Sequence, residues 1–193
     1  MSIAVTILGN SSAKPTATGH PSAQVVNINE QLFLVDAGEG VQRQMARCGI
    51  SALKLRAAFI SHLHGDHTFG LIGLISTFGL LGRTAPLHIY ADAMLEKIMR
   101  PQLDFYCKEI KYPIFFHSID AGKHTTIYED NTITVETLPQ KHRIPCCGFL
   151  FREKPKKTPR ELEDLVKADI AKDLPVSFYD DGHIKIGDVQ YYC

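Results

Sequence analysis

The sequence predicts an α/β fold built around a mixed β-sheet. Short β-rich runs alternate with helical segments along the 193 residues, a pattern typical of α/β proteins. The early strands are predicted to form a hairpin, so we expect antiparallel neighbours there rather than a purely parallel sheet. A chain of this length, with 45% hydrophobic and 22% charged residues, has the composition of one globular domain with a real core.

The first strands follow from β-rich runs bounded by turn residues. Residues 3–8 form one such run, which ends in a Gly-Asn-Ser-Ser sequence, and residues 11–22 continue as a loop that contains two prolines. Residues 24–28 and 31–35 are β-rich runs separated only by Asn29-Glu30. This arrangement predicts a β-hairpin.

The middle of the chain alternates helix and strand. Residues 41–48 are rich in helix-forming side chains and stop at Gly49, as helices commonly do. The later elements are a short apolar strand at 57–61, a glycine-spotted helix that ends near residue 81, a strand at 87–90, a helix at 93–106 that Pro101 disturbs, and strands at 114–119, 132–138 and 149–151.

The chain changes character after residue 151. Residues 152–160 hold five basic side chains and one acidic side chain, and residues 161–172 have the composition of a charged helix. Asp180-Asp181-Gly182 lies between two short β-rich runs, which indicates a hairpin. We therefore divide the chain into an N-terminal part, residues 1–151, and a charged, arm-like segment with a terminal hairpin, residues 152–193.

Composition excludes several classes of protein. The longest apolar run, residues 69–81, is too short and too interrupted to span a membrane, and the N-terminus lacks the features of a signal peptide, so a cytoplasmic location is expected. The five cysteines show neither a disulfide framework nor a CxxC zinc-ribbon pair. The 21 basic residues balance the 21 acidic residues, so any nucleic-acid binding must come from local patches.

The hexapeptide HLHGDH at residues 62–67 carries the chemistry. His62, His64, Asp66 and His67 are four metal-capable side chains within six residues, directly after a predicted strand. Imidazole and carboxylate ligands suit Zn²⁺, and Gly65 permits a tight turn that brings them together. A polar loop with chance histidines would explain the same residues, but three of the nine histidines in one turn make that explanation weak.

A His₃ zinc site needs a third imidazole from elsewhere in the chain. We choose His142, because it lies in a second loop that follows a predicted strand. From spacing alone the choice stays open. The rival candidates are His20, His88, His117, His124 and His183. The position of His88 within a strand pattern favours a structural role, and His117 and His124 lie in polar surroundings without partner ligands.

Several motifs together resemble the tRNase Z family of the metallo-β-lactamase superfamily. These are LGNSSAKPTATGHPSA at 8–23, DAGEGVQRQM at 36–45, HLHGDH with FGLIGLISTFGLLGR at 62–83, and KHRIPCCGF at 141–149. The resemblance covers about residues 1–151. HxHxDH marks the whole superfamily, whereas its combination with GEGxQRQ and GLLGR is far more specific.

The resemblance implies a four-layer α/β/β/α sandwich and an endoribonuclease that removes the 3′ trailer of precursor tRNA. In the complete family site, two Zn²⁺ ions activate a water molecule that attacks the phosphodiester. Carried over by position, the first zinc would be bound by His62, His64 and His142, and the second by Asp66 and His67. Asp66 would also be the general base, and Asp36 would orient a ligand histidine. A strand-end turn explains Asp36 equally well.

The family grips tRNA with a protruding arm, and the basic segment after residue 151 occupies the corresponding place. Phosphate contacts from Lys154, Lys156, Lys157 and Arg160 would then support RNA binding. A solvated charged loop explains these residues equally well, and the segment does not match the glycine- and proline-rich sequence of the family's arm.

The remaining family motifs, an aspartate that bridges the metals and further histidines, have no counterpart before residue 193. We therefore expect a truncated chain that contains mainly the N-terminal half of the fold. Such a chain should hold zero or one zinc ion, show little or no activity, and form a homodimer that covers its apolar face.

Two other functions remain open. The first is a different phosphodiesterase of the same fold, for example one that acts on cyclic nucleotides, because its chemistry would be nearly identical. The second is a non-catalytic RNA-binding half, which the missing ligands favour. GEGxQRQ and GLLGR favour the nuclease, and the intact HLHGDH argues against a non-catalytic role.

Overall fold

The computed structural model describes residues 3–14, 16–154, 176–178, 183–186 and 189–192. The chain forms two compact units. One comprises Met1–Glu129 with Thr134–Arg152, and the other comprises Asp130–Ile133 with Glu153–Cys193. The first unit contains all of the candidate metal ligands. The division at residue 151 that the sequence suggested remains a proposal.

A six-stranded mixed sheet forms the centre of the first unit, in the order β1-β2-β3-β4-β5-β6. Its strands are β1 (Ile3–Gly9), β2 (Ala23–Ile28), β3 (Gln31–Val35), β4 (Leu55–Phe59), β5 (Leu87–Ala91) and β6 (Ile114–Ser118). The first three strands are antiparallel neighbours, and β3 to β6 run parallel. The predicted α/β class with a mixed sheet is confirmed.

The turn between β2 and β3 has the backbone that a two-residue hairpin needs. Asn29 and Glu30 have φ values of 51° and 65°, both in the left-handed region. Two consecutive residues of this kind give a turn whose twist matches the twist of the paired strands. The hairpin expected from Asn29-Glu30 is therefore present, although glutamate is an uncommon residue in that conformation.

The described part of the first unit is completed by a short 3₁₀-helix (Ala52–Lys54) and four α-helices: α1 (Val41–Arg47), α2 (Gly65–Thr68), α3 (Gly70–Leu80) and α4 (Ala93–Tyr106). The apolar residues of α1, α3 and α4, such as Met45, Leu74 and Met99, join one buried cluster with strand residues such as Leu34 and Ile89. Helix α4 begins at the capping residue Asp92, whose carboxylate accepts the Met94 N–H at 2.8 Å. Pro101 lies inside this helix without ending it.

A second sheet, β7-β8-β9, covers the middle of the other face. Its strands are β7 (Thr126–Glu129), β8 (Ile133–Pro139) and β9 (Cys147–Glu153). Phe33 and Phe59 of the first sheet are fully buried, and their rings contact Tyr128, Phe149 and Phe151 at centroid distances of 5.4–6.1 Å. The apolar face expected to await a missing partner is thus partly covered by the chain itself.

Apolar side chains at the β1 edge are not covered by the second sheet and remain exposed. Ile3, Val5 and Ile7 alternate along one face of β1, and each is 54% exposed. Among the strands that the structure describes, β1 pairs only with β2, so it also forms one edge of the six-stranded sheet. An exposed apolar face on an edge strand favours association.

Arg83 holds together the turn that follows α3. Only 4% of the residue is exposed, and its guanidinium donates hydrogen bonds to the carbonyl oxygens of Leu53, Leu55, Ala85 and Pro86. The guanidinium carbon also lies 5.0 Å from the Phe78 ring centre. The arginine of the GLLGR motif is therefore a structural side chain, because its donors are occupied by backbone groups.

His88 and His117 form a pair on neighbouring strands. Their ring nitrogens, Nδ1 of His88 and Nε2 of His117, are 2.9 Å apart, and the His117 ring stacks on Tyr90 at 4.4 Å. Burial lowers the pKa of both imidazoles, so both are neutral at pH 7. The β6 register places His117 beside Tyr90, so this imidazole has His88 and an aromatic ring as its partners.

The second unit contains an antiparallel sheet of its own, β10 (Val176–Phe178), β11 (His183–Ile186) and β12 (Val189–Tyr192). Strands β10 and β11 pair as expected from the sequence around Asp180-Asp181-Gly182. Throughout the part of the chain that the structure describes, we find no helix with the length and apolar character needed to cross a lipid bilayer.

Replacing Arg83 by methionine should destabilise the fold by about 3 kcal/mol or more, because several buried carbonyl groups would lose their donors. Equilibrium urea unfolding monitored by circular dichroism measures this loss. Arg56→Met is the matched control at an exposed position, where we expect a change within about 0.5 kcal/mol. Equal stabilities of the two variants would contradict the structural role of Arg83.

Candidate metal centre

The centre lies where parallel strands β3 and β4 end side by side. Because both strands run in the same direction, Asp36 directly after β3 and Ser61 shortly after β4 meet at one edge of the sheet. The HLHGDH turn begins there and leads into α2 at Gly65. The local fold therefore gathers His62, His64, Asp66 and His67 at the carboxyl ends of the strands.

The structure brings three imidazoles together. His64 Nδ1 lies 3.0 Å from His62 Nε2 and 3.3 Å from His142 Nε2. One nitrogen atom from each ring lies within 4.8 Å of the others, and this is the arrangement required of a group that can hold a metal ion. Ligands held tetrahedrally at about 2.0–2.1 Å from a zinc ion are about 3.3 Å apart, so the donor set fits.

His142 reaches the cluster because β9 is attached to the end of β4. The Cys147 N–H donates to the carbonyl of Ser61 at 3.1 Å, and the Gln140 N–H donates to Cys146 at 2.9 Å and closes the loop between them. The exposed imidazole of His142 is thereby presented to His64, 78 positions away in sequence. Among the candidates for the third imidazole, His142 is the one that the structure places beside HLHGDH.

The other histidines have different surroundings. His20 hydrogen-bonds the Gln44 side chain at 2.9 Å, and His124 hydrogen-bonds Glu136 at 2.7 Å. His88 is engaged with His117, as described above. His183 lies on β11 in the second unit.

A buried carboxylate supports the turn from behind. Asp36 Oδ1 accepts the Ser61 N–H at 2.8 Å, and Oδ2 accepts from the Ser61 hydroxyl at 3.0 Å and from His67 Nδ1 at 2.6 Å. Asp36 adopts a left-handed backbone with φ of 59°, a conformation that aspartate tolerates better than most residues. The aspartate that the family resemblance assigned to orienting a histidine makes this contact to His67.

Asp66 and His67 form a weaker group beside the three imidazoles. Asp66 Oδ2 lies 3.6 Å from His67 Nε2, which is beyond a good hydrogen bond. Both side chains are partly buried, at 13% and 18% exposure. Within the described ranges, His62, His64 and His142 make up the one group of three or more potential ligands that meets the distance criterion for a metal.

The pKa values of His62 and His67 are shifted in opposite directions. Burial, followed by the neighbouring His67 and His64, lowers the pKa of His62 to about 4. Burial also acts to lower the pKa of His67, but the hydrogen bond and charge of Asp36 outweigh it, so the net shift is upward. His62 is therefore a neutral imidazole at physiological pH, whereas protons would compete more strongly with a cation at His67.

Backbone hydrogen bonds hold the HLHGDH turn against the residues that follow β3. The Ala37 N–H donates to the carbonyl oxygen of His67, and the Gly70 N–H donates to the carbonyl oxygen of Ala37, both at 2.8 Å. A Cβ atom on Gly70 would lie only 2.0 Å from the Gly38 carbonyl oxygen. Glycine at position 70 is therefore required for the close approach that keeps Asp36 next to His67.

A groove of about 1060 Å³ opens beside the imidazoles. His64 and Asp66 line one side, and Arg43 and Arg47 from α1 line another. The two arginines are four residues apart, so they lie on one helical face, and both are exposed. Residues of the loop before β2 and the exposed ring of Phe69 complete the wall.

The sequence reasoning missed Ser61, Arg43 and Arg47. The spacing of the two arginines on a predicted helix was a usable signal for one charged face. Of the four basic residues predicted to bind RNA, the structure describes Lys154. Lys154 donates its ammonium to the Asp130 carbonyl at 2.6 Å, whereas Lys156, Lys157 and Arg160 lie outside the described residues.

Known proteins resemble this chain over most of its length. A ribonuclease Z from Phocaeicola vulgatus is 55% identical over 150 residues, which cover 78% of this chain and 48% of that protein. A ribonuclease Z from Bacteroides thetaiotaomicron is 51% identical over 85% of this chain and 52% of that protein. The chain thus spans about half the length of these curated relatives.

The crystal structure of the short form of human tRNase Z aligns with a TM-score of 0.71 at 29% identity, over 79% of this chain and 66% of that one. The resemblance to tRNase Z and the metallo-β-lactamase fold are confirmed by these relatives. A family model described as anti-Pycsar protein Apyc1 matches residues 3–159. The chain belongs to this family and, with its metallo-β-lactamase fold, is a relative of ribonuclease Z.

Proposed function

We propose that the protein acts as a zinc-dependent endoribonuclease that removes the 3′ trailer of precursor tRNA, in the cytoplasm. The observation that carries this proposal is the convergence of His62, His64 and His142 beside a groove that two arginines line. The ribonuclease Z relatives support the choice of substrate.

His62, His64 and His142 would hold one zinc ion through ring nitrogens, and Asp66 with His67 would contribute to a second position. A bound divalent ion supplies Lewis acidity, which polarises a phosphoryl oxygen and makes a water molecule more acidic. The chain's own residues do the remaining work. Asp66 lines the groove and would accept the proton of the attacking water, and Asp36 keeps the His67 ring oriented.

Arg43 and Arg47 would bind phosphates of the RNA. Their exposed guanidinium groups line the same groove as His64, so a backbone held by them would pass the imidazoles. These two guanidinium groups would account for RNA binding by a chain whose formal net charge is zero, with the acidic Glu39 and Asp66 elsewhere on the groove wall. Lys154, Lys156, Lys157 and Arg160 would add contacts to the tRNA body as part of an arm.

This chain by itself should have little or no activity and hold zero or one zinc. Asp66 and His67 are a poor second site, because two ligands leave half of a tetrahedral shell unfilled. The incomplete second site also favours a second function for this chain, that of a non-catalytic RNA-binding half. A phosphodiesterase for smaller esters would use the same imidazoles, and its substrates would bind without Arg43 and Arg47.

We expect wild-type protein to retain about one zinc ion at most, and His142→Gln to retain none, because two imidazoles hold zinc far more weakly than three. Zinc is measured by plasma mass spectrometry after dialysis against metal-free buffer. His124→Gln, a change at an exposed histidine elsewhere, should leave the zinc content unchanged. About two zinc ions per chain, together with tRNA cleavage, would overturn the half-site interpretation.

Arg43→Gln with Arg47→Gln should weaken binding of a trailer-containing precursor tRNA about 10-fold at low salt. Two lost phosphate contacts should also reduce the slope of log K against log salt by about 1–2. Fluorescence anisotropy over a salt series measures both. Arg100→Gln is the control, since that side chain pairs with Glu96 on α4. Hydrolysis of bis(4-nitrophenyl) phosphate without tRNA binding would favour the phosphodiesterase.

We further propose a homodimer formed through the exposed face of β1. Val5→Lys should shift the protein to monomer, because it places a charge in the middle of the three apolar side chains of that edge. Sedimentation velocity at several protein concentrations gives the mass of each species. Thr6→Lys, on the opposite face of the strand, is the control. A monomeric wild-type protein across the concentration range would refute the dimer.

A further inference from the structure

We propose that the Ser61 hydroxyl is a positioning group that keeps the proton of the neutral His62 ring on Nδ1, so that Nε2 faces the metal position as a bare lone pair. The inference deepens the proposed function, since it concerns a ligand of that same centre. It rests on counting the donors and acceptors around Asp36.

The carboxylate of Asp36 can only accept hydrogen bonds, and its two oxygens offer about four lone-pair positions. Oδ1 receives the Ser61 N–H at 2.8 Å. Oδ2 receives His67 Nδ1 at 2.6 Å, the Ser61 hydroxyl at 3.0 Å and the Ser22 hydroxyl at 3.4 Å. All four neighbours must therefore donate, and the single proton of the Ser61 hydroxyl points at Asp36.

Because that proton is used, the Ser61 oxygen can only accept from its other neighbours. His67 Nδ1 lies 3.5 Å away, but it gives its hydrogen to Asp36 at 2.6 Å. The closer neighbour is His62 Nδ1, at 3.0 Å. His62 Nδ1 must therefore carry the hydrogen, and a neutral imidazole carries only one. The remaining nitrogen, Nε2, is left bare, and it is the atom that lies 3.0 Å from His64 Nδ1 inside the cluster.

A second group contacts the same ring nitrogen and must be weighed against Ser61. Cys146 Sγ lies 3.7 Å from His62 Nδ1. A thiol sulfur is a weak acceptor, and it has no hydrogen bond to Asp36 among the contacts of the described residues. The hydroxyl is closer and is itself held by the carboxylate, so the tautomer of His62 is assigned to Ser61.

The arrangement makes one carboxylate responsible for both sides of the centre. His67 donates its Nδ1 hydrogen directly to Asp36, whereas His62 donates through the Ser61 oxygen. Both rings therefore turn their Nε2 atoms away from Asp36. Partners of this kind fix the orientation and basicity of a ligand histidine, and their loss typically costs about 10- to 100-fold in metal affinity.

Long-range ¹H–¹⁵N correlation spectra of metal-free, ¹⁵N-histidine-labelled protein test the assignment, with the His62 signals identified from His62→Gln. Wild-type protein should show the Nδ1–H form at His62. Ser61→Ala should raise the Nε2–H fraction and weaken zinc binding about 10-fold or more in competition with a chromophoric chelator. Ser61→Thr, which keeps the hydroxyl, should restore both, and Cys146→Ala should change neither.

Thermal unfolding of each variant checks that the fold is kept. If Ser61→Ala unfolds, the tautomer of the wild-type protein carries the test. An unchanged Nδ1–H form in Ser61→Ala, or an Nε2–H form in the wild type, would overturn the assignment. The tautomer of His62 is measured in the absence of metal and RNA, so the result does not depend on whether the proposed function is correct. A Ser61-dependent tautomer in a protein that does not bind precursor tRNA would support the assignment and contradict the nuclease.

Discussion

The hydrogen bonds that Asp36 accepts from His67 and Ser61 are the constraint on which the candidate centre depends. The carboxylate lies at the junction of two parallel strands, where backbone groups leave the sheet and need new partners. Its two oxygens hold the start and the end of the HLHGDH turn. The positions of the candidate ligands thus depend on the buried Asp36 carboxylate behind them, without any metal ion.

The glycine contacts serve this same constraint by bringing α3 close to the loop after β3. Gly70 donates to Ala37 where no side chain would fit, and Ala37 in turn donates to His67. A bulkier residue at position 70 would push the helix outward and lengthen the contact between Asp36 and His67. Backbone packing and ligand orientation are therefore parts of one arrangement rather than separate features.

Sequence patterns predicted the elements that have strong local signals. The Asn29-Glu30 hairpin, the parallel strands and the HLHGDH turn all follow from periodicity and turn residues. Strand β7 has only four residues, and its pairing with β8 depends on distant contacts, so no local pattern marked it. His142 remained one of several histidines until β9 was placed beside Ser61. The role of Ser61 could not be predicted from the sequence, because it depends on the hydrogen bonds that its hydroxyl makes with Asp36 and His62 in the folded structure.

The attachment of β9 to the end of β4 has an energetic consequence. His142 comes from the loop of one sheet, whereas His62 and His64 follow a strand of the other. An ion held by all three would cross-link two layers that already contact each other through aromatic rings and the Cys147–Ser61 hydrogen bond, and its binding free energy would be shared with their packing. Removal of the ion by a chelator would then also weaken the packing of the two sheets against each other.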